Sequence, residues 1–321
     1  ALLFGLSFFI MNDNQQQRGN CFSGRFAWRM FLLAMLGIVN TAFFDGDILF
    51  SYAIYGLAEH YLATGNDESL KTAISLYHVL EEKGREPQYD GYVESFTENW
   101  EKLEQYDNNA PKTMNAHLHV LEAYTLLYQC WKDSSLKKRL EFCVDLFMNR
   151  IYDPSRRHFN LFFDNEWNSL VEMDSYGHDV ETGWLLCEAA RTLENQDLIE
   201  QTNQLALDVT EACLAEGMSD KGYMIYEKKG DRKTKHASWW GQIETMIACV
   251  NAWQISGSDV YLQSVDTVWT FVKDHMIDKE YGEWYSDCFD GEPKKEAPKV
   301  SMWRCPYHTV RLGVEIYNRL K

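Results

Sequence analysis

The chain has 321 residues, of which 45% are hydrophobic and 14% aromatic, and this composition excludes a disordered protein because it can supply a large core. Its 48 acidic and 31 basic residues give a net charge of -17. This charge repels phosphate groups over a long range, which excludes nucleic acids and anionic membrane surfaces as natural partners.

The N-terminal residues differ from the rest, so we divide the chain into an atypical segment, 1–49, and a main domain, 50–321. Two arginines, an apolar run at 30–39 and then small residues make the stretch 25–42 similar in layout to a signal peptide. The apolar run lies inside the chain and is too short to cross a bilayer. A packed helix is therefore the favoured interpretation, and a misassigned or processed start is the alternative.

The eight cysteines are scattered and include no Cys-x-x-Cys pair. This pattern is typical of reduced, mostly buried thiols in a cytoplasmic protein. We predict a cytoplasmic location and a monomer, with secretion as the competing possibility.

From residue 51 onward, helix pairs joined by short turns recur. The first pair is predicted at 51–65 and 66–82, with Gly65 ending its first helix. The later pairs are predicted at 114–150, 178–216 and 239–278, with a last helix near residue 308. The entrances of the first helices are spaced by 63, 63, 62 and 68 residues, at Tyr52, Asn115, His178, Trp240 and His308. A regular period of this kind indicates a repeat architecture.

Aromatic-rich tracts at 157–164, 222–227 and 282–287 precede new helix pairs and predict short β-hairpins. If alternate helices run in the same direction, the first helices all begin at one end of the domain. We therefore predict an all-α fold, an (α/α) toroid whose hairpins lie at the end that carries the site. An open solenoid is the alternative.

The third entrance combines a histidine, a carboxylate and an indole. His178, Glu181 and Trp184 follow at three-residue steps, so they are neighbours on a helix surface. Ser175 and Gly177 just before them are helix-start signals. A helical histidine is more often a satisfied, partly buried residue than a catalytic one. Polar or aromatic residues at four entrances favour a functional site instead.

The other entrances supply the remaining candidates: Asn115 and His119, Trp240 and Glu244, and Trp303 with His308. Glu181 and Glu244 could also be the paired carboxylates of a glycoside hydrolase, and their separation decides between the two. His117 and His119 are two residues apart on a helix and point to different sides, so we predict no metal site. Nucleotide-binding and Gly-x-Ser-x-Gly patterns do not occur.

Five motifs, in order, resemble the cellobiose 2-epimerases of the N-acylglucosamine 2-epimerase superfamily. They are Lys112–His119, Ser175–Glu181, Trp239–Glu244, Gly282–Tyr285 and Trp303–His308. The resemblance covers the chain from about Ser51 to its C-terminus. It implies an (α/α)6 barrel that inverts C2 of the reducing-end glucose of β-1,4-linked disaccharides, cellobiose to glucosyl-mannose and lactose to epilactose, without a cofactor.

The resemblance also implies a role for each candidate. His178 and His308 become the acid/base pair, assisted by Glu181, and the sugar site is lined by Asn115, His119, Trp184, Trp240, Glu244 and Trp303. Such an enzyme opens the sugar ring, removes the C2 proton to give an enediolate and returns a proton to the other face. An ordinary histidine pKa of about 6.5 suits both steps. Glu181, one turn from His178, is expected to orient that imidazole or to help ring opening.

The chain departs from this family in two places. The family has a full N-terminal repeat that carries an active-site arginine, whereas about fifty residues precede Ser51, and Arg25 is a weak counterpart. After His308 the family continues Asn-Gly-Arg, whereas this chain has Thr-Val-Arg at 309–311. An incomplete ring, a sugar-binding relative without activity, and epimerases or isomerases of monosaccharides are therefore alternatives.

Overall fold

A computed structural model of the protein describes residues 48–97, 99–101, 103, 106–301 and 304–321. The α-helices are α1 Ile48–Thr64, α2 Asp67–Val79, α3 Met114–Cys130, α4 Ser134–Leu146, α5 Tyr176–Thr192, α6 Gln196–Gly217, α7 Trp239–Ser256, α8 Asp259–Phe271 and α9 Tyr307–Leu320. A wider helical turn extends α2, α4 and α8, at Leu80–Gly84, Phe147–Ile151 and Val272–Met276. These bounds confirm the predicted series of helix pairs.

The β-strands are short, with two or three residues each. They are β1 Lys112–Thr113, β2 Tyr152–Asp153, β3 His158–Phe159, β4 Phe162–Phe163, β5 Met173–Asp174, β6 Lys228–Lys229, β7 Arg232–Lys233, β8 His236–Ser238, β9 Asp287–Phe289 and β10 Glu292–Pro293. They pair antiparallel as β1–β4, β2–β3, β5–β6–β7 and β8–β9–β10.

The strands lie where the odd-numbered helices begin. Strands β1 and β8 run directly into α3 and α7. Strand β5 is followed by Ser175, the N-cap residue of α5. Of the predicted hairpin tracts, 157–164 contains β3 and β4. The tracts 222–227 and 282–287 lie mostly before the hairpins β6–β7 and β9–β10. Each tract forms one isolated β-bridge to the residues that precede it, Met224 to Met218 and Trp284 to Ile277.

Odd-numbered helices form the inner ring of the fold, which is most deeply buried at α3, α5 and α7, and even-numbered helices lie outside it. In α3, 14 of 17 residues are buried, whereas in α4 only 5 of 13 are. A helix that is buried on nearly all sides must be surrounded by other elements, and one buried along a stripe lies at the surface. The sequence places apolar residues all around α3 and along one face of α4 for this reason.

The inner helices pack in succession, α1 on α3, α3 on α5, α5 on α7 and α7 on α9. The last of them returns to the first, because the Tyr307 ring of α9 lies 5.6 Å from Tyr52 and 6.2 Å from Tyr55 of α1, measured between ring centroids. The described helices therefore close into the predicted toroid.

Several sequence predictions concern residues outside the described part. The segment 1–49 lies there except for residues 48 and 49, which begin α1, and so does Arg25. Its interpretation as a separate segment stays a prediction. In the described part of the chain, no helix has both the length and the apolar character needed to cross a bilayer. Five of the seven described cysteines are buried, and all seven are free thiols.

Candidate active site

Arg311 of α9 joins carboxylates from three other inner helices. Its Nη1 donates to Glu181 of α5 at 2.6 Å and to Glu244 of α7 at 3.2 Å, and its Nη2 donates to Glu122 of α3. None of the four side chains is more than 5% exposed. Charges so deeply buried are tolerated only with partners of this kind, because desolvation is costly.

The three carboxylates differ in their proton affinity. Burial favours the protonated form of all three, but Arg311 outweighs it at Glu122 and Glu244 and holds their pKa values below the ordinary one. At Glu181, burial and repulsion by Glu244 raise the pKa despite the opposing effect of Arg311. Glu122 and Glu244 are thus the stronger acids of the cluster, and Glu181 is the weakest.

His308 begins α9 and binds one of these carboxylates. Its Nδ1 lies 2.6 Å from Oε1 of Glu244. Burial works against a charged imidazole, but the hydrogen bond and the attraction to Glu244 outweigh it and raise the pKa of His308. Its charged form is therefore stabilised near neutral pH, and a charged imidazole has a proton to give.

His178, on the first turn of α5, has the opposite character. Its Nδ1 lies 2.7 Å from Oγ of Ser175, and its ring packs 4.5 Å from that of Trp240. Burial among protein atoms, followed by the positive charges of His119 and His308, lowers its pKa to about 3. At neutral pH His178 is therefore uncharged, and one of its ring nitrogens keeps a lone pair.

The indole of Trp240 connects the two histidines. Its ring centroid lies 4.5 Å from that of His178 and 5.8 Å from that of His308. Trp240 is only partly buried. The structure thus brings two imidazoles with oppositely shifted pKa values to the same aromatic surface.

His119 lies near the Arg311 cluster as well. Its Nε2 is 3.0 Å from the Tyr52 hydroxyl of α1, and its Nδ1 is 3.2 Å from Oε2 of Glu122. His117 points elsewhere, as predicted: its Nε2 accepts from the backbone N–H of Tyr92 at 2.8 Å. The two histidines, two residues apart, therefore have different hydrogen-bond partners on different sides of α3.

Two of the proposed sugar contacts, Trp184 and Glu244, have other surroundings than expected. Trp184 is 3% exposed, donates from Nε1 to Glu244 at 3.0 Å, and is packed against the guanidinium groups of Arg311 and Arg319. Its faces are covered, so it supports the carboxylate instead of stacking on a sugar. Glu244 is fully buried and acts on His308. The side chain of Asn115, on the first turn of α3, is half-buried and makes no hydrogen bond within the described residues.

Glu181 and Trp303 are the subjects of two further expectations. Glu181 bonds Arg311, and the group that meets the His178 ring is the Ser175 hydroxyl, so the expectation that Glu181 orients this imidazole is not met by the hydrogen bonds. Trp303 lies outside the described residues. The predicted entrances of α3, α5, α7 and α9 are otherwise brought to one end of the fold.

Sequence reasoning missed Arg311, Glu122 and Tyr307 as members of the site. Tyr307 donates its hydroxyl proton to Glu122 and contacts the Arg311 guanidinium. A signal for Arg311 was present, because it follows His308 by three residues on the same helix and so shares its face.

Two clusters of donor atoms in the described residues are close enough together to hold a metal ion. Oxygen and nitrogen atoms of Glu181, Glu244 and His308 lie within 4.8 Å of one another, as do donor atoms of His158, Asp179 and Cys213. In the first cluster, Arg311 already binds both carboxylates. Its guanidinium supplies the positive charge that a cation would otherwise bring.

Comparison with known proteins identifies the relatives of this chain. The family model described as N-acylglucosamine 2-epimerase matches residues 47–311. A cellobiose 2-epimerase of Bacteroides fragilis is 39% identical over 275 residues, which cover 83% of this chain and 69% of the relative. A cellobiose 2-epimerase of Dictyoglomus turgidum is 36% identical, over 84% of this chain and 70% of the relative.

Solved structures agree with these sequence matches. The cellobiose 2-epimerase of Bacillus thermoamylovorans superposes with a TM-score of 0.81 at 34% identity, over 85% of this chain and 71% of that one. An α-mannanase of Bacteroides thetaiotaomicron, at 12% identity and a TM-score of 0.59, shares the fold alone. Because a mannan-cleaving enzyme has this fold too, the fold by itself does not separate an epimerase from a hydrolase.

Proposed function

Since the chain belongs to the N-acylglucosamine 2-epimerase family and is an enzyme that epimerises or isomerises carbohydrates, we propose that it inverts C2 of the reducing-end glucose of β-1,4-linked disaccharides such as cellobiose and lactose. One observation carries the proposal: His178, whose pKa is lowered, and His308, whose pKa is raised, lie against the same indole, Trp240. Inversion by proton transfer needs one group that takes a proton and another that gives one.

The reaction begins when the pyranose ring opens to an aldehyde at C1. His178 then removes the proton from C2, and the electron pair of the C–H bond moves into the enediolate. His308 delivers its own proton to the opposite face of C2, which produces the mannose epimer. The two imidazoles have then exchanged protonation states, and proton exchange with water restores them. In the reverse direction the roles of the histidines interchange.

The enediolate carries negative charge on its oxygens, so the site needs hydrogen-bond donors. His119, held between Tyr52 and Glu122, and Asn115 one turn before it are suited to this role. The exposed part of Trp240 offers an apolar face to the sugar. The proposed chemistry uses no cofactor.

Hydrolysis is disfavoured by the surroundings of the two candidate carboxylates. A glycosidase holds its carboxyl groups on either side of the sugar bond that it cleaves. Here Nη1 of Arg311 binds both Glu181 and Glu244, at 2.6 and 3.2 Å, and neither is exposed. The guanidinium therefore takes the position between them that the sugar would need.

The proposal is tested by incubating the protein with cellobiose in deuterated water and following C2 by NMR. Because the returned proton comes from a different histidine than the one that took it, glucosyl-mannose should form with deuterium at C2. Replacing His178 or His308 with alanine should slow this at least about a hundredfold. His60→Ala, at an exposed histidine remote from the site, is the control.

Each alternative gives a different result. Release of glucose would indicate a hydrolase. Thermal stabilisation by cellobiose without deuterium exchange would indicate a sugar-binding protein. Full activity in either histidine variant would reject the roles assigned to the pair. Exchange with mannose but not with cellobiose would assign a monosaccharide substrate.

A further inference from the structure

We propose that Ser175 is a positioning residue that holds His178 in the tautomer able to remove the C2 proton. The inference rests on the proposed function and adds to it a residue outside the acid/base pair. It starts from a helix N-cap whose side chain does not cap its helix.

Ser175 occupies the N-cap of α5 with an extended backbone, φ -114° and ψ 95°, and yet its hydroxyl makes no capping hydrogen bond. At the corresponding positions of α3 and α7, Thr113 and Ser238 accept from a backbone N–H of the first turn, at 3.1 and 3.2 Å. The Ser175 hydroxyl lies 2.7 Å from Nδ1 of His178 instead. In α5 the N-cap hydroxyl therefore contacts the imidazole instead of a backbone N–H of the first turn.

The contact between Ser175 and His178 is buried, and no other described side chain hydrogen-bonds the His178 ring. Ser175 is 4% exposed, so water competes little for its hydroxyl. Within the described part of the chain, Ser175 is the one group that hydrogen-bonds the His178 ring, because Glu181 is engaged by Arg311. Trp240 packs against the ring, and the hydrogen bond that fixes its Nδ1 edge comes from this serine.

The direction of the hydrogen bond decides what His178 can do. A neutral imidazole has one N–H and one lone pair. If Nδ1–H donates to the serine oxygen, Nε2 keeps its lone pair and is available as a base. If the serine donates to Nδ1, the ring proton is on Nε2 and the imidazole cannot take a proton there. The proposed reaction requires the first arrangement.

The test combines kinetics with 15N NMR of the histidine rings, in Ser175→Ala and Ser175→Gly. Glycine is accepted at an N-cap, so it removes the hydroxyl with little effect on the helix. We expect kcat for cellobiose epimerisation to fall about 10- to 100-fold with KM nearly unchanged, because the sugar contacts remain while the base is misplaced. The His178 ring should shift from the Nδ1–H to the Nε2–H tautomer, and Ser175→Thr should restore both properties.

Ser258→Ala is the matched control, because Ser258 is the N-cap of α8 and its side chain makes no capping bond. It should change neither kcat nor the His178 spectrum. An Nε2–H tautomer in the parent protein, or parental kcat in both Ser175→Ala and Ser175→Gly, would overturn the inference. The NMR measurement separates it from the proposed function: a parent protein without epimerase activity would defeat the latter, while the tautomer would still report on Ser175.

Discussion

Two histidines near one indole acquire opposite properties from their immediate neighbours. His308 meets an anion, Glu244, at 2.6 Å, and its pKa rises. The partner of His178 is a neutral hydroxyl at 2.7 Å. Burial, and then repulsion by other histidines, lowers the pKa of His178 to about 3. Identical side chains are thereby set to different tasks, as in enzymes whose acid and base are of one residue type.

The charge of His308 can be tested through Glu244→Gln. The proposed proton donor is lost when pH rises through the pKa of His308, which Glu244 raises above 6.5. Without this carboxylate the pKa of His308 falls, so the basic limb of the kcat/KM profile should move to lower pH. Glu181 and Glu122 still attract the imidazolium, so the move is partial. The pH profile of cellobiose epimerisation measures it, and an unmoved basic limb would show that another group controls that limb.

Helices and their turns were predictable because local chemistry sets them. Asn66, Asp133 and Asn195 follow the preceding helix or turn, and each side chain accepts a hydrogen bond from the first turn of the next helix. Gly257 ends α7 in the left-handed conformation that glycine adopts easily. Short-range signals of this kind are present in the sequence itself, whereas the exact bounds of the two-residue strands depend on pairing with distant residues.

Capping at an outer helix should affect stability without affecting catalysis. Asn195 accepts from the backbone N–H of Leu198 at 3.2 Å and starts the 22-residue helix α6. Asn195→Ala should lower the free energy of unfolding by about 1 kcal/mol and leave kcat unchanged. Urea denaturation and epimerisation assays measure the two effects. Ser258→Ala removes a side chain that makes no cap bond and should cost far less; equal losses in both variants would contradict the explanation.

Site residues were predictable only where a repeat marked them. His178, Trp240 and His308 stand at equivalent entrances, and the structure brings them together. Arg311 was not assigned, because a single arginine in a helix is typical of a surface charge. Its importance comes from three carboxylates 67 to 189 residues away in the chain. Trp184 was assigned to sugar binding because the sequence does not show that two arginines cover its ring.

At the scale of the molecule, Arg311 is one side chain that joins α9 to α3, α5 and α7 at the same time. Arg311→Met would leave Glu122, Glu181 and Glu244 buried without their cation. We expect the free energy of unfolding at neutral pH to fall by about 3–5 kcal/mol, with loss of epimerase activity. Urea denaturation measures the change.

Two matched variants qualify the Arg311 experiment. Arg150→Met, at an exposed arginine, should change stability by less than about 0.5 kcal/mol. Arg311→Lys keeps the charge but lacks the planar fork that reaches several carboxylates, so it should recover only part of the loss. Parental stability in Arg311→Met would show that the carboxylates are protonated in the folded protein and need no cation.

Synthesis proceeds from the N-terminus to the C-terminus, and this order has a consequence for the Arg311 cluster. The ribosome makes Glu122, Glu181 and Glu244 before it makes the arginine that neutralises them. Closing the inner helices before α9 emerges would bring three acidic side chains together without their cation, and their repulsion and desolvation oppose that closure. Nascent chains should therefore stay open, and closure of the ring and assembly of the catalytic pair should occur together, after translation has reached the last helix described.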